Sequence, residues 1–374
     1  MLSPKEFYEA LNAAGVTLFC GVPDSLLKDI CAYVTEKTPR ERNVITANEG
    51  GAIALAMGHY LATGQVGLVY LQNSGLGNTV NPITSLADPA IYGVPMLLLI
   101  GWRGRPGEHD EPQHVHMGKV TLESLAALGV PASILPDEIE AAREAVETSL
   151  AQAHERRGPV ALVVRKGTFD AYSLKDAASP YALTREAAIE RFVGALPERA
   201  CVVSTTGMPS RELFEVREKR KEPHDGDLLI VGGMGHASQI ALGVALARPD
   251  RDVYCLDGDG AVIMHMGGLA TIGELAPKNY KHVVVNNGAH DSVGGQPTAG
   301  FSADLCAVAR ACGYKRAVSV SAAEDVEREL AVLRDEPGPA LVEIRVKKGA
   351  RKDLGRPTQT PADLKEAFSK HARG

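Results

Sequence analysis

Short apolar runs of strand length alternate along this chain with longer segments whose apolar residues recur at helical spacing. The runs at 95–100 (PMLLLI) and 160–164 (VALVV) are continuous rather than alternating, the pattern of strands buried on both faces of a parallel sheet. Ser3-Pro4-Lys5-Glu6 opens a first helix as N-cap, proline at the first helical position and capping-box glutamate, and Gly15 closes it. Strands follow at 17–20, 43–47, 66–71 and 95–100, near Ser133, and at 160–164. Between them the spacing predicts helices running to Cys31, from Asn48-Glu49-Gly50-Gly51 to Ala62, and over 122–128 and 138–153. Two stretches read as loops: polar, glycine-rich 72–78, and the long 102–116.

The alternation then repeats. Thr184 caps a second opening helix, and strands are expected at 201–204, 228–231, 253–256, 282–285, 317–320 and 340–345. Helices are expected over 209–219, 237–247, 261–275, 303–311 and 322–334. Strand–helix alternation of this kind is the signature of α/β folds with parallel sheets. The domain boundaries expected are 1–168, a polar linker at 169–183, a second domain at 184–346, and a basic, proline-containing tail at 347–374 that reads as a peripheral arm. The halves share an architecture without obvious sequence repetition, and no third domain stands between them.

Composition changes the picture little. At 374 residues there is material for about two domains, each with its own core. A net charge of −6 argues against a nucleic-acid partner, and no apolar run approaches membrane-spanning length. The opening MLSPKEFYEAL reads as a helix start, not as a signal peptide. The six cysteines, at 20, 31, 201, 255, 306 and 312, lack zinc or redox spacing and read as buried thiols of a cytoplasmic protein. A nicotinamide-binding reading is weak, since no GxGxxG follows the first strand.

Candidate chemistry gathers where strands end. A parallel strand–helix–strand unit over 253–285 presents Asp259 and Asn286-Asn287 at the same sheet edge, where ligands of open α/β folds sit. An acid, amides and loop carbonyls suit a hard cation, and Gly258, Gly260 and the helix start at Ala261 suit an anion, so the stretch reads as a metal–diphosphate site. Gly232-Gly233-Met234-Gly235 is a tight turn with an apolar prop, and Thr205 and Thr206 end another strand on that edge as phosphate donors. Glu49 stands at a strand end before a helix of small residues; an ordinary helix-start carboxylate is the plain alternative. The 102–116 loop carries Arg103, Arg105, His109, Asp110, Glu111, Gln113, His114 and His116; its histidines read as a group acting on substrate, as solvated polar residues or, weakest because the spacing matches no helical zinc motif, as a metal site.

These residues resemble a known family. Gly258-Asp259-Gly260, 25 intervening residues and Asn286-Asn287 are similar to the signature of the thiamin diphosphate-dependent 2-oxoacid decarboxylases and acetohydroxyacid synthases. GVPDSLLKD, NEGGAIALAMGHYLATG, LQNSGLGNTVNPITSL, DEPQH, STTGMPSRELFE, GGMGHASQIALG and above all NNGAHDSVGGQPT look like the branch that acts on phosphonopyruvate, in phosphonate biosynthesis. A sulfopyruvate branch is closely related, though its chains are typically split in two. The resemblance covers nearly the whole chain. It implies a pyrimidine-binding and a diphosphate-binding domain, with thiamin diphosphate and Mg²⁺ as cofactors. Asp259 and Asn287 by side chain and Ala289 by its carbonyl would bind Mg²⁺. Thr205, Thr206, Gly232, Gly233, Gly258, Gly260 and Ala261 would line the cofactor, Met234 would wedge between its rings, and Glu49 would face the pyrimidine nitrogen. Substrate contacts and proton transfer would draw on Asp24, Ser25, Asn73, Arg103, His109, Gln113 and His114. Since the two domains grip opposite ends of one cofactor across a subunit interface in this family, a homodimer or higher homo-oligomer is implied. Carboligation, or a non-catalytic subunit that keeps the fold, are the rival readings.

Overall fold

The computed structural model describes residues 1–175 and 179–374. Two compact units divide the chain, Met1–Asp176 and Ala177–Gly374. The linker expected over 169–183 includes 176–178, which lie outside the described residues.

In the first unit the order is α1 (Pro4–Ala13), β1 (Leu18–Gly21), α2 (Lys28–Lys37), β2 (Asn43–Ile45), α3 (Glu49–Thr63), β3 (Gly67–Gln72), α4 (Leu76–Pro82), β4 (Met96–Gly101), α5 (Pro112–Ala127), β5 (Ala132–Ile134), α6 (Ile139–Arg156) and β6 (Pro159–Val164). The six strands form one sheet in the order β2-β1-β3-β4-β6-β5, every pair parallel. The apolar run of β4 serves both faces: Leu97 and Leu99 enter a core with Phe7, Leu11 and Phe19, while Leu98 and Ile100 enter another with Ala52, Ile53 and Val69. That is why the run does not alternate.

The second unit continues with α7 (Arg185–Ala195), β7 (Cys201–Ser204), α8 (Met208–Arg220), β8 (Asp227–Leu229), α9 (Ala237–Ala247), β9 (Val253–Gly258), α10 (Asp259–Met264), α11 (Gly268–Leu275), β10 (Tyr280–Asn286), α12 (Leu305–Ala311), β11 (Arg316–Val320), α13 (Ala323–Asp335), β12 (Ala340–Arg345) and α14 (Pro361–Arg373). Its sheet order, β11-β12-β10-β9-β7-β8, is all parallel. Renumbered from its own first strand and read from the other edge, this is the order of the first unit. Val283 and Val285 of β10 face one core while Val284 faces the other. In both sheets the strand order reverses beside the unit's first strand, between β1 and β3 and between β7 and β9, and such switch points open a crevice at the carboxyl ends of strands.

Several expectations are corrected. Ser3 makes no side-chain cap bond at the start of α1, so the capping box there does not form. The glycine-rich 72–78 is not a loop but a 3₁₀ turn leading into α4, and the long loop ends at Glu111, where Pro112 starts α5. The helix expected over 261–275 is broken at 265–267, where Gly267 and Gly268 weaken it. The arm expected at 347–374 ends in α14, held by a capping box of Thr360 and Asp363 and burying Leu364, Phe368 and Ala372 against its own unit.

Candidate active site

In the first unit, Glu49 is the first residue of α3. Asn48 caps the helix by accepting Gly51 N–H at 2.8 Å, which fixes where the carboxylate of the next residue begins. Glu49 is 5 % exposed, and its Oε2 accepts Asn78 Nδ2 at 2.7 Å. The turn before α4 closes over the other oxygen: a Cβ at Gly75 would collide with Glu49 Oε1, so only glycine lets that backbone approach. Burial raises the Glu49 carboxyl above its ordinary value, against the lowering effect of Asn78. A raised pKa shifts the balance of this carboxyl toward its protonated form.

A second cluster forms where β1, β3 and β4 end. Asp24 is fully buried, with Oδ1 accepting Gln72 Nε2 at 2.5 Å and Oδ2 accepting Leu26 N–H at 2.8 Å; burial raises its pKa. Arg103 donates from Nη1 to Ser25 Oγ at 2.7 Å and from Nε to Asp110 Oδ2 at 2.7 Å, and pairs through Nη2 with Asp110 Oδ1. Asn73, fully buried, accepts Arg103 N–H at 3.2 Å and donates to the Arg103 carbonyl at 2.8 Å. Arg103 is thus neutralised by Asp110 and holds Ser25, rather than standing free for an anion. His114 lies on α5, buried, its Nδ1 without a hydrogen-bond partner. Burial and the nearby Arg103 charge lower its pKa to about 4, with Asp110 opposing, so the ring is neutral at pH 7. Gln113 Oε1 is likewise buried without a partner. His109 is exposed and stands apart from these contacts.

In the second unit, Asp259 begins α10 directly after β9 and is 2 % exposed. Its Oδ1 accepts Asn287 N–H at 3.4 Å, and its Oδ2 accepts the hydroxyl of Thr298. Burial pushes its pKa up to about 6. Two residues back on the strand, Asp257 accepts Gly258 N–H at 3.0 Å and faces His282 Nε2 at 3.5 Å. Asn287 follows β10; its Oδ1 accepts Ala289 N–H at 3.1 Å. Ala289 bridges Pro297 between two flanking backbone bonds, His290 N–H to Gln296 O and Thr298 N–H to Gly288 O. Its own carbonyl is therefore outside the ladder. Asp259, Asn287 and the Ala289 carbonyl supply oxygen donors of the type that Mg²⁺ takes, and the residues present therefore suit such an ion.

Two observations test whether these residues fit the diphosphate cofactor, and both favour it. Thr205, at the end of β7, is 3 % exposed, yet its hydroxyl has no partner. Thr206, beside it, already donates to the Val231 carbonyl at 2.9 Å, so Thr205 is the free donor of the pair. Gly260 leaves a cradle: a Cβ there would lie 3.2 Å from Met234 Cε and 3.0 Å from the His290 ring. Gly232 and Gly233 carry the backbone into Met234, with Gly233 left-handed (φ 61°) and exposed, and Ala261 lies buried in α10. Sequence reasoning gave no role to His290, Thr298, Gly75 or Asn78. The surrounding protein lowers the His290 ring to about 4, so it too is neutral at pH 7.

Residues 5–125 match the family model described as thiamine pyrophosphate enzyme, N-terminal TPP binding domain, and residues 205–344 match the corresponding C-terminal TPP binding domain. The chain belongs to the thiamine pyrophosphate enzyme family. Within it, the chain is 38 % identical to a phosphonopyruvate decarboxylase of Streptomyces viridochromogenes, over 98 % of this chain and 94 % of that one. It is 37 % identical to the phosphonopyruvate decarboxylase of Streptomyces hygroscopicus, over 100 % of this chain and 94 % of the other. A sulfopyruvate decarboxylase of Methanosarcina acetivorans is more distant, 27 % identical over 87 % of each. The α/β class, the two cofactor-binding domains and thiamin diphosphate itself are therefore as the sequence resemblance implied. Among the described residues no helix is long and apolar enough to cross a membrane.

Proposed function

We propose that this chain decarboxylates 3-phosphonopyruvate to phosphonoacetaldehyde and CO₂, with thiamin diphosphate held through Mg²⁺, as a homodimer or higher homo-oligomer. Identity of 37–38 % to two phosphonopyruvate decarboxylases over nearly the whole chain supports the substrate, against 27 % for the sulfopyruvate enzyme. The observation that carries catalytic competence is Glu49, a buried carboxyl with a raised pKa at the head of a helix, which a non-catalytic subunit would have no reason to keep.

The bound cofactor supplies an electron sink for the carbanion left when CO₂ departs. The chain's residues do the rest. Glu49 would face the pyrimidine nitrogen of the cofactor, Asp259, Asn287 and the Ala289 carbonyl would hold the metal, Thr205 would donate to the diphosphate, and Met234 would support the rings. Ser25, fixed by Arg103, and neutral His114 are the groups offered to substrate, His114 as the proton carrier. Incubation with Mg²⁺ and thiamin diphosphate should release CO₂ fastest from phosphonopyruvate, with sulfopyruvate and pyruvate slower in parallel assays. Absence of CO₂ release, or preference for sulfopyruvate, would overturn the assignment.

A further inference from the structure

A side-chain amide offers a metal one useful end. Its oxygen binds a cation and its NH₂ group repels it, so a site that uses Asn287 must fix which end the cation meets; here Asn287 Oδ1 already accepts Ala289 N–H at 3.1 Å. The structure contains a device that does so. Asn287 Nδ2 donates to Asp291 Oδ2 at 2.6 Å, and a reversed amide would set oxygen against carboxylate oxygen at that distance. Asp291 Oδ2 also accepts Arg185 Nη1 at 2.9 Å and Gly349 N–H at 2.9 Å. Three donors from α7, from the loop after β10 and from the segment after β12 converge on that oxygen. Its lone pairs are spent on holding neighbours.

Arg185 is the fixed point of this arrangement. It is the first residue of α7, 3 % exposed, and grips Glu212 of α8 in two parallel bonds, Nε to Oε2 at 2.7 Å and Nη2 to Oε1 at 3.0 Å. Bidentate pairing leaves the guanidinium no freedom to swing away from Asp291. The first helix of the unit is thereby tied to a loop more than a hundred residues later in the chain.

We propose that Asp291 is a positioning residue that turns the Asn287 amide so that its oxygen is presented to Mg²⁺, and that Arg185 anchors Asp291 for this task. The inference rests on the cofactor reading given above. Groups that orient metal ligands typically change metal affinity by roughly 10–100-fold when removed. Calorimetric titration of the full chain with Mg²⁺, in fixed excess thiamin diphosphate, should therefore give an affinity for Asp291→Ala weaker by about that factor. Turnover should recover as Mg²⁺ is raised. Asp291→Asn, whose amide oxygen can still accept Asn287 Nδ2, should retain more affinity than the alanine variant. Arg185→Met, with Asp291 intact, should weaken Mg²⁺ in the same direction and keeps the test alive if Asp291→Ala does not fold. Unchanged Mg²⁺ affinity in these variants, or a loss of turnover that added Mg²⁺ does not restore, overturns the inference. Wild-type chain that binds no Mg²⁺ with thiamin diphosphate overturns the cofactor reading itself.

Discussion

Replacing Glu49 by glutamine tests the proposed chemistry with the least disturbance to the fold. The amide keeps the volume and an oxygen that accepts Asn78 Nδ2, the bond made at 2.7 Å in the native chain, and removes only the exchangeable proton. Loss of a proton-transferring side chain typically costs 10²–10⁴ in rate, about 3–5 kcal/mol of barrier. We expect Glu49→Gln to fall in that range in steady-state CO₂ release at saturating thiamin diphosphate and Mg²⁺, with cofactor affinity by calorimetry close to wild type. Stability separates chemistry from packing. Because the folded chain holds the Glu49 proton more tightly than the unfolded chain, this group stabilises at low pH, and the contribution is lost as pH rises through its folded value. Glutamine has no such loss, so the variant should gain stability relative to wild type as pH rises. Alanine instead strips Asn78 of its acceptor and should cost about 1–3 kcal/mol. Turnover of Glu49→Gln within tenfold of wild type would refute the role, whatever its stability.

Asp259→Ala removes the one carboxylate of the oxygen donor set, and we expect loss of thiamin diphosphate affinity at any practical Mg²⁺ concentration; unchanged binding by calorimetry would count against the metal site. His114 is lowered from 6.5 to about 4 when folded, so between those values the unfolded chain takes up a proton that the folded chain refuses. Stability is complete above pH 6.5 and declines as pH falls, by about 2 kcal/mol at pH 5, and His114→Gln should flatten that part of the melting profile. Parallel slopes for the two proteins would sink this account.

What could be read from the chain divides along physical lines. The strands were legible because parallel sheets buried on both faces need uninterrupted apolar runs, and 340–345 and the helix 237–247 have the bounds that their patterns predict. Glycine and histidine hid the rest. In 72–78 the polar, glycine-rich composition argues for a loop, but burial of Leu76 and Thr79 and the approach of Gly75 to Glu49 hold a helix from Leu76 that local propensity would not. At Glu111-Pro112 a start signal was present, proline at the first helical position, yet the histidines after it read as loop polarity. Thr360-Pro361 with Asp363 was a start signal of the same kind behind a basic lead. Asp259 and Asn287 stood out because their strand ends are separated by a fixed spacing, whereas Glu49, an ordinary helix-start acid by composition, stood out only through the family resemblance. Thr298 and Asp291 did not: they reach their partners through a loop whose path no periodicity encodes.

The two sheets give a reason for this distribution. Each unit has the same strand order, and in each the chemistry-bearing residues collect where the order reverses: Asp24, Ser25 and Asn73 past β1 and β3, Thr205 and Asp259 past β7 and β9. Topology alone makes a crevice there, because the connections from adjacent strands leave in opposite directions. What it does not do is choose a ligand. In the first unit the crevice is filled by a network of Arg103 with Asp110, Ser25 and Asn73, and the Glu49 carboxyl stands apart at the head of α3, enclosed and with its pKa raised by burial. In the second the buried Thr205 hydroxyl has no partner and Gly260 leaves its cradle open. One strand order used twice thus carries different side chains, a buried carboxyl with a raised pKa in the first unit and an unpartnered hydroxyl beside an open cradle in the second, to which the proposed function gives the proton and the anion respectively. The difference lies in a few side chains at strand ends, Glu49 after the second strand of its sheet and Thr205 and Asp259 after the first and third of theirs, so changing those side chains, rather than altering either core, is the change to which function should be most sensitive.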